Sequence, residues 1–347
     1  MIKELVDKLQ REKILSVDEF KKILETEDVK SIGYLHEKSR DTSHSIYGRD
    51  IYIRGLIEFT NYCKNNCLYC GIRHNNNNIE RYRLTKEEIL NCTDIGYSLG
   101  FRTFVLQGGE DPYFSTDKIV DIVSSIKSSH PDCAITLSIG EKSYESYKAF
   151  FDAGADRYLL RHETANKNHY SKIHPKSMSL KKRQQCLWDL KEIGYQVGCG
   201  FMVGSPYQTL DNIVEDLLFI KELNPHMIGI GPFIPHKDTP FKNHSPGTID
   251  LTLKLLSIIR LMLPNVLLPS TTALATIDPC GRERGILVGA NVVMPNLSPE
   301  SVREKYTLYN NKACSKEESA EYKFNLEHSI KYIGYNLTVN RGDYKII

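Results

Sequence analysis

The chain has 347 residues, of which 41% are hydrophobic and 25% are charged, so it can bury a large core and disorder is excluded as its dominant state. Its 45 basic residues nearly balance 43 acidic ones, and a net charge of +2 does not indicate nucleic acid or an anionic membrane as a partner. No segment reaches the roughly 18 consecutive apolar residues that a membrane span requires, which predicts a soluble, cytoplasmic protein.

Two kinds of hydrophobic pattern follow each other along the chain. The first 46 residues have apolar side chains at helical spacing, whereas from residue 51 onward short apolar runs alternate with longer helical stretches. Eight such runs are predicted strands: 51–59, 103–107, 134–139, 156–160, 195–203, 226–231, 265–270 and 289–295.

An eightfold alternation of strand and helix is typical of a (β/α)8 TIM barrel of the α/β class. A doubly wound open sheet is the alternative, but no GxGxxG turn follows the first strand. We therefore predict an N-terminal helical extension over 1–46, the barrel over 47–298, and a C-terminal helical tail over 299–347 that packs on the barrel.

The first predicted strand is followed by three closely spaced cysteines, Cys63, Cys67 and Cys70. Active sites of barrels lie at the carboxyl ends of the strands, so this loop is at the predicted catalytic mouth. Three thiolates can hold a cubane iron–sulfur cluster and leave one iron open to a small molecule. The alternative is a structural zinc site completed by His74, although such a site has no reason to lie at the mouth.

This CxxxCxxC loop, with Tyr69 before its last cysteine, resembles the cluster motif of the radical S-adenosylmethionine (SAM) superfamily. The resemblance implies a [4Fe–4S] cluster on the three cysteines, which are then catalytic, and SAM as the second cofactor. It also implies reductive cleavage of SAM to methionine and a 5′-deoxyadenosyl radical. The second strand ends in Gln107, Gly108, Gly109 and Glu110, similar to the family's GGE motif, which binds the methionine amino group.

The fourth strand places Arg157, Arg161 and Glu163 on one face, and in a barrel one face points inward. Inward charges require a ligand or each other, so an internal Arg161–Glu163 pair is the alternative to a binding role. The family resemblance assigns the SAM ribose hydroxyls to Glu163 and the SAM carboxylate to Arg183, a charged residue on the apolar stripe of its helix. The cofactor site is also predicted to include Thr136 on the third strand and Met202 on the fifth.

Longer strings resemble the HydE family of [FeFe]-hydrogenase maturation proteins, in the biotin synthase-like branch, over essentially the whole chain. The resemblance implies radical chemistry on a small cysteine-bound iron carbonyl cyanide precursor during H-cluster assembly. The resemblance also implies that the carboxylate of the precursor's cysteine is bound by Arg157, Thr271, Thr272 and Tyr306, and that Arg161 lies in the substrate cavity. The strings are IEFTNYCKNNCLYCGIR, VLQGGEDPY, DRYLLRHETAN, MVGSPYQT, GIGPFIPH and ANVVMPN.

The same resemblance implies three further protein partners: a scaffold GTPase, a tyrosine-cleaving radical SAM maturase, and an electron donor such as ferredoxin or flavodoxin. Methylornithine synthase and biotin synthase-like enzymes remain alternatives, as does a zinc-stabilised scaffold without activity. Some relatives carry a second iron–sulfur cluster on three C-terminal cysteines. Because only Cys314 is present in that region, we predict no such cluster.

Overall fold

The computed structural model describes residues 1–312 and 319–346. Three helices come first: α1 (Ile2–Glu12), α2 (Val17–Glu25) and α3 (Val29–Tyr47). The start of α2 is fixed by a capping box, in which Ser16 and Glu19 each accept a hydrogen bond from the other's backbone amide. The amino-terminal helices pack mainly against the helices Leu210–Leu223 and Ile249–Met262 of the following strand-and-helix region.

That region contains most of the strands and the helices that connect them. Its strands are β1 (Asp50–Ile53), β2 (Gly55–Thr60), β3 (Thr103–Gly108), β4 (Ala134–Ser138), β5 (Arg157–Leu159), β6 (Gln196–Cys199), β7 (Met202–Val203), β8 (Met227–Ile228), β9 (Gly231–Pro232) and β10 (Val292–Val293). Its helices are α4 (Lys86–Ser98), α5 (Thr116–Ser129), α6 (Tyr144–Asp152), α7 (Lys167–Ile173), α8 (Leu180–Ile193), α9 (Leu210–Leu223), α10 (Ile249–Met262), α11 (Thr272–Ile277) and α12 (Gly281–Leu287).

All pairings between these strands are parallel. A six-stranded sheet has the order β2-β3-β4-β5-β6-β8, and β7 pairs separately with β9. Isolated parallel bridges join Met227 to Leu267, Pro269 to Val292, and Leu56 to Asn296. Through these bridges, β8 neighbours the segment around 267–269, that segment neighbours β10, and the residues after β10 neighbour β2. The strands are thus connected in the order of a barrel.

Several predicted strands are divided in the structure. The predicted strand 51–59 becomes β1, which pairs with β10 and with the C-terminal strand Asn336–Thr338, and β2, which pairs with β3. The predicted strand 195–203 is interrupted at Gly200, whose φ is +153° and whose added Cβ would lie 2.0 Å from the carbonyl oxygen of Gly229. The strands therefore break where the backbone bends or changes neighbours.

The segment after residue 299 covers both ends of the barrel. It contains α13 (Glu300–Arg303), α14 (Ser319–Tyr332) and β11 (Asn336–Thr338), which pairs with β1. At the amino ends of the strands, the Arg157 guanidinium is bonded to the carboxylate of Asp343, 2.6 Å away, and Arg341 is bonded to Asp156. We call this ion-pair group the barrel floor.

Within residues 1–312 and 319–346, no helix is both long enough and apolar enough to cross a membrane.

Candidate active site

The cysteine loop follows β2 at the carboxyl end of the barrel. Its backbone is held from three sides: the Lys64 amide donates to the carbonyl of Glu110, the Leu68 amide to that of Ile173, and the Gly71 amide to that of Leu308. The three cysteines are partly buried and form no disulfide. Strand β3, helix α7 and the segment after α13 therefore fix the path of the loop.

Burial raises the pKa of all three cysteine thiols above the ordinary value, that of Cys70 to about 12. The neighbouring thiols add to the effect, because one thiolate disfavours another nearby. The thiols are therefore protonated at neutral pH until a metal centre takes them as ligands, which releases their protons.

The donor set fits an iron–sulfur cluster better than a single metal ion. Among the residues described, no three Cys, His, Asp or Glu side chains converge on one point as a single ion requires, and the side chain of His74 is exposed. In a cubane cluster each thiolate binds a different iron, so the sulfur atoms need not converge. This arrangement does not support the zinc site with His74.

The glycines at the end of β3 allow it to pack directly against the cysteine loop. A Cβ on Gly109 would lie 2.2 Å from the carbonyl oxygen of Tyr62 and 2.7 Å from the Cβ of Cys63. Only glycine fits such a contact without moving the loop. Strand β3 therefore delivers the next residue, Glu110, to the immediate neighbourhood of the cysteines.

Arg183 on α8 lies between two carboxylates. Its Nε is 3.0 Å from Glu141 and its Nη2 is 3.6 Å from Glu110. Burial lowers the pKa of Arg183, but Glu141 and Glu110 more than offset this effect and raise the pKa above its ordinary value. Glu141 was not predicted from the sequence, although its place just after the predicted strand 134–139 could have drawn attention to it.

Next to this cluster, several buried polar atoms lack hydrogen bonds. Arg161 and Glu163 approach to 3.0 Å, as the internal-pair alternative predicted, yet Nε and Nη2 of Arg161 and Oε2 of Glu163 make no well-aligned hydrogen bond. The hydroxyl of Thr136 is also buried without a partner in the described structure. Buried polar groups are normally satisfied, so these atoms fit a polar ligand such as SAM.

Glu163 has an unusual backbone. Its φ of +65° lies in the left-handed region, which is uncommon for residues other than glycine. Its amide donates to the carbonyl of Gly200, 3.0 Å away, which holds the turn against the next strand. Such conformations persist where the surroundings impose them, and they occur frequently at functional sites.

Two more predicted residues lie beside the cysteines. Met202 and Tyr69 belong to one small apolar cluster with Ile173, Phe233 and Phe241. The Tyr69 hydroxyl is 3.2 Å from Nε2 of His174, and burial lowers the pKa of that imidazole to about 3, so it is neutral at physiological pH. This cluster forms an apolar wall beside the polar atoms of the Arg183 group.

The predicted substrate residues are not all brought together. Arg157 begins β5, whereas the cysteine loop lies beyond the carboxyl ends of the strands, and the guanidinium of Arg157 is already bonded to Thr103, Gln196 and Asp343. The predicted substrate contact at Arg157 is therefore corrected to a structural role in the barrel floor.

The other predicted substrate residues lie at the mouth. Thr271 and Thr272 stand at the start of α11, and the buried Thr271 hydroxyl has no hydrogen-bond partner within the described ranges. Tyr306 is buried, and burial together with the nearby Glu58 raises its pKa well above the ordinary value, while Gln107 acts in the opposite direction.

Glu58 is a buried charge that was not predicted from the sequence. It is fully buried on β2, accepts a hydrogen bond from Asn296 at 2.8 Å and pairs with Lys312. A single acidic residue within the apolar run 51–59 was the available signal. Lys312 ends the segment 305–312, which we call the strap.

The strap crosses the mouth of the barrel. The amide of Asn310 donates to the carbonyl of Pro235, and the side-chain amide of Asn61 donates to that of Lys305. A cavity of about 510 Å³ lies beside it. The lining of this cavity includes His236, Arg303, Tyr306, Tyr309 and Lys312.

The sequence is similar to known proteins along most of its length. Residues 57–220 match the radical SAM superfamily. The chain is 46% identical over 312 residues to the [FeFe] hydrogenase maturase subunit HydE of Thermotoga maritima, covering 90% of this chain and 88% of that protein. It is 28% identical over 297 residues to 3-methylornithine synthase of Methanosarcina acetivorans, covering 85% and 83%.

Solved structures confirm the predicted fold class. A crystal structure of methylornithine synthase superposes with a TM-score of 0.82 at 23% identity, covering 96% of this chain and 97% of the other. A crystal structure of HydG, a maturase of the [FeFe]-hydrogenase, superposes with a TM-score of 0.80 at 24% identity, covering 96% and 74%.

Membership of the superfamily makes the protein a radical SAM enzyme and implies a [4Fe–4S] cluster and SAM as its cofactors. The high identity over nearly the full length of one relative identifies the narrower group. The chain belongs to the radical SAM superfamily and, within it, to the family of the [FeFe] hydrogenase maturase subunit HydE.

Proposed function

We propose that this radical SAM enzyme takes part in the assembly of the [FeFe]-hydrogenase H-cluster. The observation that carries the proposal is the 46% identity to a hydrogenase maturase over 88% of its length. The predicted cofactor residues support it, because the cysteine loop, the end of β3 and the start of α8 meet at one end of the barrel.

In this proposal Cys63, Cys67 and Cys70 hold the [4Fe–4S] cluster. When bound, the cluster supplies the electron for the reductive cleavage of SAM. Glu110 would accept hydrogen bonds from the methionine amino group of SAM, and Glu163 from the ribose hydroxyls. The five-donor guanidinium of Arg183 would bind the SAM carboxylate through charge-assisted hydrogen bonds.

The substrate would be a small cysteine-bound iron carbonyl cyanide complex. Two residues support this substrate. Two buried nitrogens of Arg161 lack aligned hydrogen-bond partners within the described ranges, and the buried hydroxyl of Thr271 lacks one as well. An arginine with nearby hydroxyls can bind a carboxylate, here that of the substrate's cysteine. Thr272 and Tyr306 complete this set, and Arg157 is no longer part of it.

Three protein partners accompany this role: the tyrosine-cleaving radical SAM maturase and the scaffold GTPase of the same maturation process, and a ferredoxin or flavodoxin as the electron donor. Since assembly passes a fragile metal complex between proteins, we expect these contacts to be transient. The assay for the role is genetic. Deleting the coding sequence should abolish hydrogenase activity, and supplying it should restore that activity.

Methylornithine synthase is the second candidate function, because the 28% identity to 3-methylornithine synthase extends over 85% of this chain. The same genetic assay separates the two functions. Restoration of pyrrolysine synthesis instead of hydrogenase activity would favour this candidate.

The cluster assignment is tested with cysteine variants. We expect anaerobic reconstitution to give about four irons per chain and a coloured protein. Replacing Cys63, Cys67 and Cys70 by alanine should abolish both the iron and the formation of 5′-deoxyadenosine. The exposed Cys280 offers a matched control, since Cys280→Ala should change neither. Stoichiometric zinc in a colourless protein would contradict the assignment.

A further inference from the structure

Two segments of the chain contain basic residues and no acidic ones. Residues 59–79 include Lys64 and Arg73, and residues 164–188 include five lysines and one arginine, while neither segment has an aspartate or glutamate. The chain as a whole has 45 basic and 43 acidic residues, so this excess is local. The first segment contains all three cysteines of the candidate active site.

The two segments pack against each other around the cysteines. The Leu68 amide donates to the carbonyl of Ile173 at 3.0 Å, and Sγ of Cys67 is 3.7 Å from Sδ of Met178. The basic residues of the two segments therefore lie on neighbouring parts of the molecule, beside the cysteine loop.

The lysine side chains of this region point into solvent. Those of Lys64 and Lys182 are 54% and 68% exposed, and Lys176 and Lys181 are exposed as well. Lys64 and Lys182 approach Glu110 and Glu141, but both carboxylates are buried and also lie beside Arg183. We call Lys64, Lys176, Lys181 and Lys182 the basic rim.

The metal centre that the cysteines would hold is close to both basic segments, because Lys64 lies between Cys63 and Cys67 in the loop and the sulfur of Cys67 contacts Met178. Electron transfer between proteins requires the donor to approach the acceptor closely. A surface of one charge sign around such a centre attracts a partner of the opposite sign and accelerates its association.

We infer that the basic rim is the docking surface for a small acidic protein that carries one electron. The inference rests on the proposed function, which requires an electron at the cysteine loop. One electron leaves the reduced carrier and passes to the centre held by the cysteines, so the carrier is oxidised by one electron and no atom is transferred.

The test uses the double variant Lys176→Glu/Lys181→Glu, because neither lysine has an ion-pair partner in the described part of the chain. The probe is a purified acidic flavodoxin. We expect its affinity for the reconstituted enzyme, measured by titration at low salt, to fall roughly tenfold or more, and added salt to weaken binding to the unaltered enzyme. Formation of 5′-deoxyadenosine should fall likewise with flavodoxin as reductant and stay unchanged with dithionite, which needs no docking surface.

Two controls accompany the variant. Lys176→Arg/Lys181→Arg keeps the charge and should keep the affinity. Lys22→Glu/Lys30→Glu makes the same change of charge at exposed positions on α2 and α3 and should leave flavodoxin affinity near that of the unaltered enzyme.

Unchanged flavodoxin affinity in the first variant, with dithionite-driven cleavage intact, would overturn the docking surface and leave the proposed function standing. Loss of affinity for an acidic maturation protein, but not for flavodoxin, would also overturn it. A lack of SAM cleavage with dithionite in the unaltered enzyme would instead refute the proposed function.

Discussion

Arg183 shows how a single buried residue can be prepared for a ligand. A guanidinium in the protein interior is destabilising unless it is paired, and here Glu110 and Glu141 share that role. Burial raises the pKa of Glu141, and Arg183 opposes this rise only in part. The arginine is thus held in place while its Nε remains without an aligned hydrogen bond.

We expect Arg183→Lys to weaken SAM binding by about 1–3 kcal/mol, because lysine keeps the charge but lacks the planar set of donors that binds a carboxylate. Titration of the reconstituted enzyme with SAM measures the change. Arg49→Lys, at an exposed arginine on another part of the molecule, is the control and should have no effect. Equal SAM affinity in the two variants would contradict the role of Arg183.

At the residue scale, the sequence indicated which face of a strand a side chain occupies but not how far along the barrel axis it lies. Period two predicted Arg157 and Arg161 on one face of a strand, but it could not show that Arg157 pairs with Asp343 in the barrel floor whereas Arg161 pairs with Glu163. Four residues of extended chain span about 13 Å, which is enough to separate the barrel floor from the active site. The left-handed backbone of Glu163 was equally hidden, since nothing local requires it.

The strap packs directly against the end of the cysteine loop. A Cβ on Gly71 would lie 2.0 Å from the carbonyl oxygen of Thr307 and 2.5 Å from the ring of His236. No side chain fits there unless the strap moves.

We therefore expect Gly71→Ala to displace the strap, lower the thermal midpoint and reduce the iron retained after reconstitution. Gly33→Ala is the matched control, because its Cβ would meet nothing within 4 Å and the residue lies inside α3. In that helix, alanine should stabilise by roughly 0.5–1 kcal/mol. If both variants retained iron and stability equally, the strap would not be fixing the cysteine loop.

At the element scale, the alternation of strands and helices was predictable because periodicity is a local property of the sequence. The division of single apolar runs into β1 and β2, or β6 and β7, was not, because it results from a change of neighbours in space. The strap had no periodicity at all, and backbone hydrogen bonds to distant loops position it.

At the scale of the whole molecule, the buried imidazoles make stability depend on pH. Burial lowers the pKa of His36 to about 4, and nearby Lys254 and Arg284 add to the shift. Burial also lowers the pKa values of His169, His174, His226 and His236. Because these groups take up protons more readily in the unfolded chain, unfolding is favoured as the pH falls below about 6.5.

We predict that stability declines between about pH 6.5 and pH 4, with His36 alone contributing up to about 3 kcal/mol. Thermal midpoints of the anaerobic protein across this range measure the decline. His36→Gln should make it shallower, whereas His74→Gln, at an exposed side chain, should not. A midpoint that stayed constant from pH 7 to pH 4.5 would contradict the prediction.

The α/β fold class was predictable from the eightfold repetition, and the related crystal structures agree with it. The closure of the ring of strands was harder to predict, because the segment around 267–269 joins its neighbours through isolated bridges. The predicted domain boundaries stay predictions, and Cys314 lies outside the described residues.

The barrel floor has a consequence for how the protein is made. Arg157 is fully buried, and the carboxylate that balances its charge belongs to Asp343, which is 186 positions further along the chain. Until translation has reached Asp343, the Arg157 guanidinium has neither that counter-ion nor its hydrogen bond to the Arg341 carbonyl, and burying it in that state would be strongly unfavourable. Folding at this end of the barrel can therefore be completed only after residue 343 has been translated.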